Sequence, residues 1–412
     1  MELSRRCFLA ALKAALRGQS AQVEEELSPE EWWDVFQLAR EHNVLPMIYD
    51  AVHSLPSLKD KPFLPMLRPQ VLQLVMLQTM KSRDFLDLNR HLQQAGEKPV
   101  IVKGIICRSL YPNPDYRMSG DEDMLIQPER FDTCHEAMLS FGMEPADQTA
   151  NMQEDYEVPY GKQGSPIYIE LHKHLFPPEQ EAYGDLNRFF VEITQRAVPV
   201  EVQGETVYTM PPTDHLFYLI CHAYKHFLHS GFGLRQVCDV CMFAEHYGSE
   251  ICWDQVLEQC REIRADRFAA AMFRIGENHL GIDLDKAQYP SCWQEMTVDE
   301  MPMLEDLLQS GVFGASDMSR KHSSTITLSA VASQKQGKKQ SGVLKSLFPS
   351  AKALEKRYPY LEKYPWLLPA AWCSRIAKYG TETRQGKNNN AVDALKIGSQ
   401  RVELFKQYGI LD

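Results

Sequence analysis

The sequence predicts an α+β protein in which a small mixed β-sheet is flanked by N-terminal and C-terminal helical regions. Apolar residues recur at three- and four-residue spacing over much of residues 1–95 and again over residues 211–313, as in amphipathic helices. Between these regions, β-branched or alternating runs indicate strands at residues 100–102, 121–126 and 167–172. The change from a helical period to a strand period and back therefore predicts a sheet bounded by helices.

The composition excludes several classes of protein. The chain has 412 residues, enough for roughly two or three packed units, and its formal net charge of -11 argues against a protein whose main task is to coat nucleic acid. The ten cysteines lack the regular spacing of a disulfide scaffold, which suits a reducing compartment. No apolar run reaches the roughly 18 residues of a membrane span. We therefore expect a cytoplasmic protein without stable membrane insertion.

The pattern of elements divides the chain into five segments. Residues 1–95 are predicted to form an N-terminal helical region, residues 96–210 the α/β core, and residues 211–313 a second helical region. Residues 314–350 are predicted to be a basic flexible loop or linker because Ser, Gln, Gly and Lys dominate them. Residues 351–412 are predicted to be a C-terminal helical extension.

Two local signals support the first helices. Residues 28–31 (Ser-Pro-Glu-Glu) combine an N-cap serine, a first-turn proline and a glutamate at the third position. Residues 4–6 (Ser-Arg-Arg) are similar to a twin-arginine export signal, but charges interrupt the apolar stretch that follows. Phe8, Leu12 and Leu16 instead fall on one helical stripe. An amphipathic first helix is expected here.

Three carboxylates mark the candidate site in the α/β core. Asp121 and Asp123 stand at the head of a strand, and side chains two residues apart on a strand point to the same face. Such close carboxylates stay ionised mainly when cations neutralise them. Glu170 lies in a third, alternating strand. Three acids on adjacent strands beside a helix N-terminus predict a site for two divalent metal ions and a triphosphate.

The remaining elements follow from shorter signals. Residues 128–142 read as a helix closed by glycine, and residues 145–165 as loop or edge structure. Residues 198–208 have the pattern of a hairpin. A proline-led helix start at residue 211 opens a helix pair, and residues 391–410 form a further amphipathic pattern.

The ordered set of core motifs resembles the DNA polymerase-β-like nucleotidyltransferase superfamily, and more closely its bacterial uncharacterised nucleotidyltransferase family. That family has a lysine-glycine turn, an arginine, a D-x-D strand and then a carboxylate strand followed by histidine. The matching residues are Lys103, Gly104, Arg117, Asp121, Asp123, Glu170 and His172. The superfamily's usual Gly-Ser turn is Lys103-Gly104 here, as in the closer family, and Glu122 stands where an apolar residue is more usual.

The resemblance implies transfer of a nucleoside monophosphate from a nucleoside triphosphate to an acceptor hydroxyl. Asp121, Asp123 and Glu170 would be the catalytic acids and would hold two Mg²⁺ ions, with Mn²⁺ as the alternative. The backbone at Gly104 and at the start of the following helix would donate N–H groups to phosphates. The residues implied to bind nucleotide are Lys103, Gly104, Arg117, Ser119, Gly120, Lys225, His226 and Asp239.

Other interpretations stay open at the level of sequence. The pairs His222/His226 and Cys238/Cys241 have the spacing of zinc ligands, although helical cysteines are often only small apolar residues. Residues 320–363 hold ten Lys or Arg against two Glu, which suits RNA, an anionic membrane surface or a solvated loop. A catalytically inactive module that binds RNA, protein or a membrane surface is the second functional class. The sequence does not indicate the base, the acceptor (RNA, protein, sugar or small molecule) or the oligomeric state.

Overall fold

The fold is described from a computed structural model, which covers residues 1–59, 61–147, 151–311, 318–337, 351–354, 358–372, 374 and 391–412. Within these residues the α+β class is confirmed, because helices flank one seven-stranded mixed sheet. None of the described helices is both long and apolar enough to cross a membrane.

The N-terminal region is helical, as predicted. Its helices are α1 (Leu3–Ala15), α2 (Pro29–Glu41), α3 (Leu45–Val52) and α4 (Leu64–Gln94). The α2 cap has the predicted form, since the backbone N–H of Glu31 donates to Ser28 Oγ and the Ser28 N–H donates to the Glu31 carboxylate. Phe8 and Leu12 are fully buried on α1, so the first helix is amphipathic, as expected.

The central sheet brings the acidic strands together. Its strands are β1 (Val100–Ile101), β2 (Glu122–Leu125), β3 (Glu144–Pro145), β4 (Glu157–Gly161), β5 (Tyr168–His172), β6 (Val198–Val202) and β7 (Glu205–Thr209). The strand order is β3-β4-β5-β2-β1-β7-β6. Strand β2 runs parallel to β5 and antiparallel to β1, and β6 and β7 form the predicted hairpin. Two helices of this region, α5 (Ile105–Arg108) and α6 (Phe131–Ser140), follow β1 and β2 in the chain.

The second helical region packs with the first. Its helices are α7 (Pro212–Leu228), α8 (Leu234–Tyr247), α9 (Trp253–Glu262), α10 (Asp266–Leu280), α11 (Ser291–Gln294) and α12 (Met301–Ser310). One hydrophobic core contains buried residues of α1 to α3 together with those of α7 to α10. A smaller core lies under the sheet and includes the C-terminal half of α4. The helical regions before and after the sheet in sequence therefore share one core, so that neither buries its apolar face alone.

Part of the predicted linker is a helix. Residues 314–350 are predicted to be a flexible loop, but Met318–Lys335 form α13, which packs against the helix Ala391–Gln407. Ile326 and Val331 are buried on α13, and Thr327 donates to the backbone carbonyl of Leu228. The serine-rich composition hid this apolar stripe. Residues 312–317 and 338–350 lie outside the described part of the chain.

Candidate functional site

Two of the predicted catalytic acids lie side by side on neighbouring strands. In the parallel pairing of β2 with β5, Asp123 is directly opposite Glu170. Opposed residues of paired strands place their side chains close together on one face of the sheet. Asp121 lies immediately before β2, and the contacts of both residues with Lys103 place it beside Asp123. The sheet thus assembles three carboxylates that are separated by up to 49 residues in sequence.

Lys103 supplies a positive charge to these acids. Its Nζ lies 3.0 Å from Asp123 Oδ2 and 3.5 Å from Asp121 Oδ2. Burial alone would lower the pKa of Lys103, but the two carboxylates outweigh burial and raise that pKa well above its usual value. Lys103 follows β1, which pairs with β2, so the strand order places the lysine beside the acids. The ammonium therefore balances charge within the metal-free cluster.

His172 joins the cluster from the end of β5. Its Nε2 lies 3.0 Å from Asp123 Oδ1 and 3.6 Å from Glu170 Oε2, and its Nδ1 lies 3.3 Å from Glu157 Oε2. Burial opposes protonation, but the hydrogen bonds with Asp123 and Glu170 raise the pKa of His172 to about 9. Glu157 was not predicted. It stands opposite His172 in the β4–β5 pairing, and the alternation in residues 157–161 was the signal that could have placed it.

The acids have opposite pKa shifts. Burial raises the pKa of Asp123, but Lys103 and His172 more than offset burial and hold this pKa below its usual range. Burial is also the largest effect on Glu170 and raises its pKa, and repulsion from Asp123 adds to the rise. Neighbouring carboxylates with pKa values pushed apart are typical of sites in which one acid is ionised and the other exchanges a proton.

The donor set fits a divalent metal ion. Asp123, Glu170 and His172 each offer one ligand atom, and these atoms lie within 4.8 Å of one another. Among the described residues, these three form the group of possible metal ligands whose ligand atoms lie this close together. Carboxylate oxygens suit Mg²⁺ and Mn²⁺, and an imidazole nitrogen is a ligand for transition metals. Asp121 is outside this group but shares Lys103 with Asp123.

Gly104 makes a turn that only glycine fits. Its φ is +57°, and a Cβ at this position would lie 1.9 Å from Glu122 Oε2. Glu122 is fully buried, accepts the Ile105 N–H at 2.7 Å and pairs with Arg108 at 2.5 Å. The prediction that the start of this helix offers its N–H groups to phosphates is therefore wrong for Ile105. The acid at position 122 is explained by its partners inside the protein.

Arg117 and Asp239 contact each other. The guanidinium of Arg117 donates two hydrogen bonds to the Asp239 carboxylate, one of them of 2.9 Å, and Tyr111 Oη donates to the same carboxylate at 2.7 Å. Burial opposes charge on Arg117, but Asp239 outweighs it and raises the pKa of Arg117 well above its usual value. The pair ties the loop before β2 to α8. Both residues line a narrow cavity together with Lys103, Gly104, Ser119, Asp121, His222 and Arg235.

Ser119 and Gly120 are held in place by hydrogen bonds from two buried cations. The Lys81 ammonium on α4 donates to both of their backbone carbonyls, at 2.6 and 2.7 Å. Ser119 Oγ accepts a hydrogen bond of 2.7 Å from Arg108. The loop that leads into the acidic strand is therefore fixed by buried cations of two helices, which sequence spacing did not reveal.

The histidines of α7 face the acids and do not meet the cysteines. His222 Nε2 lies 3.3 Å from Lys103 Nζ and 3.3 Å from His226 Nε2. Cys238 and Cys241 are buried among apolar residues of the helical core. The zinc interpretation is wrong for these residues. In the described chain, the possible metal ligands that lie close enough together are Asp123, Glu170 and His172, and none of the four residues is among them. Lys225, also on α7, has a lowered pKa because of burial, which the acids of the cluster, Glu157 foremost, oppose.

Arg235 is a cavity residue that sequence reasoning missed. It is the second residue of α8, is 7% exposed and donates to the backbone carbonyl of Met118. It stands four residues before Asp239, and residues four apart share one face of a helix. That spacing was the signal that could have found it.

The mixed sheet thus carries opposed acids and a group that could hold a divalent ion, beside a cavity lined by cations. The family model described as "Uncharacterised nucleotidyltransferase" matches residues 28–281, which is more than half of the chain. The chain belongs to this nucleotidyltransferase family. No curated protein and no solved structure matches the chain significantly.

Proposed function

We propose that this protein is a metal-dependent nucleotidyltransferase of the polymerase-β-like type. It transfers a nucleoside monophosphate from a nucleoside triphosphate to an acceptor hydroxyl in the cytoplasm. The single observation that carries the proposal is the juxtaposition of Asp123 and Glu170 on parallel strands, with Asp121 beside Asp123. Family membership supports the reaction class. The juxtaposition supports these three residues as the acids of the reaction.

The three acids share one role in this proposal, and Glu170 has a second. Asp121, Asp123 and Glu170 hold the divalent ions, with Mg²⁺ as the expected ion and Mn²⁺ as its substitute. When bound, such ions stabilise the attacking and leaving oxygens of a phosphoryl displacement. Glu170 also accepts the proton of the acceptor hydroxyl, which its place opposite Asp123 on the neighbouring strand supports. His172 orients Asp123 through a hydrogen bond of 3.0 Å and lies within ion-pair distance of Glu170, at 3.6 Å.

The nucleotide is proposed to bind between the sheet and the helices α7 and α8. Lys103, Gly104, Ser119 and Gly120 approach it from the sheet side, and Lys225 and His226 approach it from α7. Arg117 and Asp239 shape the wall by pairing with each other, so the charge of Arg117 is already balanced. The acceptor is an RNA, a protein, a sugar or a small molecule, since one metal site serves many acceptors in enzymes of this kind.

Calorimetry tests the proposal. ATP, GTP, CTP and UTP are titrated, with and without Mg²⁺, into the wild type, Asp121→Ala/Asp123→Ala and the control Glu258→Ala, whose exposed glutamate lies on α9. We expect one nucleotide or more to bind only with Mg²⁺, to the wild type and the control but not to the double variant. Absence of nucleotide binding at millimolar Mg²⁺ would instead support a catalytically inactive module of this family.

A further inference from the structure

Arg235 is a buried arginine in the cavity beside Asp121, and it has no role in the proposed reaction as described above. Arg235 lines this cavity together with Lys103, Ser119 and His222. Its side chain is almost completely buried, and one N–H group donates to the Met118 carbonyl. Its Nε is buried without a hydrogen-bond acceptor among the described residues. A buried donor without an acceptor is costly and needs an explanation, and a bound ion or ligand that reaches it through the cavity is one.

The other cations of the cavity already have acidic partners. Lys103 pairs with Asp121 and Asp123, and Arg117 pairs with Asp239. In the described chain no ion pair accounts for Arg235, and its pKa is lowered by burial first and then by the charge of Arg117. A planar guanidinium presents several donors in a fixed geometry that matches phosphate oxygens. Asp239 and Asp121 offset part of this charge from a distance. A guanidinium without a direct ion pair in the described chain therefore still suits an anion with several oxygens.

A second observation concerns the start of α5, where the sequence predicts backbone N–H groups that bind phosphates. The backbone N–H of Ile105 is taken by Glu122, and that carboxylate lies where a Cβ of Gly104 would be. A phosphate at this position would meet a buried carboxylate that is anchored by Arg108. The terminal phosphates of a nucleotide must therefore be held elsewhere than at the start of α5.

We propose that Arg235 binds the terminal phosphate of the nucleoside triphosphate and thereby makes the site select triphosphates over diphosphates. The inference rests on the proposed function and deepens it. The cavity connects Asp121, a proposed metal ligand, with Arg235 on α8. A triphosphate whose reacting end lies at the acids extends its last phosphate into this cavity, and a diphosphate does not reach the guanidinium.

The test compares matched nucleotides in the presence of Mg²⁺. The probes are the four nucleoside triphosphates in their non-transferable α,β-methylene form and the four corresponding diphosphates, titrated into full-length protein. The variants are Arg235→Met, Arg235→Lys and the control Arg401→Met. Arg401 is also buried, 2% exposed against 7% for Arg235, and its Nε likewise has no hydrogen-bond acceptor among the described residues. It donates to backbone carbonyls of Phe227 and His229, but it does not line the cavity.

The expected result is a change in the ratio of dissociation constants, diphosphate over triphosphate. Loss of charged hydrogen bonds should weaken triphosphate binding by about ten- to hundredfold in Arg235→Met and leave diphosphate binding nearly unchanged. Arg235→Lys should keep part of the preference because it keeps the charge. Arg401→Met should keep the wild-type ratio, which shows that loss of a buried arginine is not itself the cause.

The two possible failures are distinguishable. If the wild type and Arg235→Met bind nucleotides with the same ratio, the role of Arg235 is overturned and the proposed function stands. If the wild type binds no nucleotide with Mg²⁺, the proposed function fails and the inference fails with it. If Arg235→Met does not fold, a wild-type ratio in Arg235→Lys overturns the inference, and a reduced ratio supports it.

Discussion

The ammonium of Lys103 lies 3.0 Å from a carboxylate oxygen of Asp123, where β1 and β2 run side by side. Lys103 also contacts Asp121 at 3.5 Å, so one lysine neutralises two of the acids that are proposed to hold metal. A divalent ion at these acids competes with the ammonium for the same oxygens. Charge balance thus links the stability of the metal-free protein to metal binding.

The first prediction concerns this competition. Lys103→Met leaves the buried acids without their cation, so the metal-free variant should unfold at a lower temperature, at a cost of about 2 kcal/mol or more. Mg²⁺ should raise its melting temperature more than that of the wild type, because the ion no longer competes with the ammonium. Melting temperatures of both proteins, measured in EDTA and at Mg²⁺ concentrations raised in tenfold steps, test both effects.

The matched control is Lys162→Met, which removes a lysine that contacts Phe141 at the far end of β4. Its response to Mg²⁺ should equal that of the wild type. Equal Mg²⁺ shifts in Lys103→Met and the wild type would show that Lys103 does not compete with the ion.

The second prediction concerns the buried pair of Glu122 and Arg108. Glu122→Ala leaves the Arg108 charge and the Ile105 N–H without a partner, and we expect it to lower the free energy of unfolding by about 3–5 kcal/mol. Urea denaturation measures the loss. Arg108→Met/Glu122→Leu should lose less than Glu122→Ala, since no buried charge remains. A cost below about 1 kcal/mol for Glu122→Ala would contradict this account.

The third prediction concerns Gly104. Gly104→Ala places a methyl group against the Glu122 carboxylate at a positive φ, so it should destabilise the protein by more than about 2 kcal/mol. Gly120→Ala is the matched control, because a Cβ there meets nothing within 4 Å and its φ is not positive. Chemical denaturation of the two variants in parallel provides the measurement. Similar free energies of unfolding for the two variants would contradict the prediction.

The fourth prediction concerns the pH dependence of stability through His42. Burial lowers the pKa of His42 to about 4 in the folded protein, from an ordinary value of 6.5. The unfolded chain therefore binds the proton more readily, so stability is complete above pH 6.5 and is lost as pH falls from 6.5 towards 4. This loss is up to about 3 kcal/mol for one such group.

Urea denaturation between pH 7.5 and 4 tests the fourth prediction. His42→Gln should flatten the acid side of the stability profile relative to the wild type. His53→Gln, which replaces an exposed histidine, should keep the wild-type slope. A His42→Gln profile parallel to that of the wild type would exclude His42 as a source of the acid sensitivity.

The sequence by itself determined several local elements and the positions of the three candidate acids along the chain. Strand periodicity placed Asp121 and Asp123 at the head of a strand and Glu170 in another, because side-chain direction alternates along any strand. The capping box at residues 28–31 and the hairpin at residues 198–208 were likewise local, and the structure confirms both. Signals of this kind depend only on neighbouring residues, so one sequence is enough to read them.

Only the tertiary structure decided which groups meet. The pairing of β2 with β5 puts Asp123 opposite Glu170. The position of α8 beside the loop that precedes β2 joins Arg117 to Asp239 and brings Arg235 to the cavity. The burial of Glu122 at the start of α5 also depended on Arg108 reaching it. These contacts join residues that are distant in sequence or on different elements, and their energies come from burial and charge pairing, which exist only after the chain has folded.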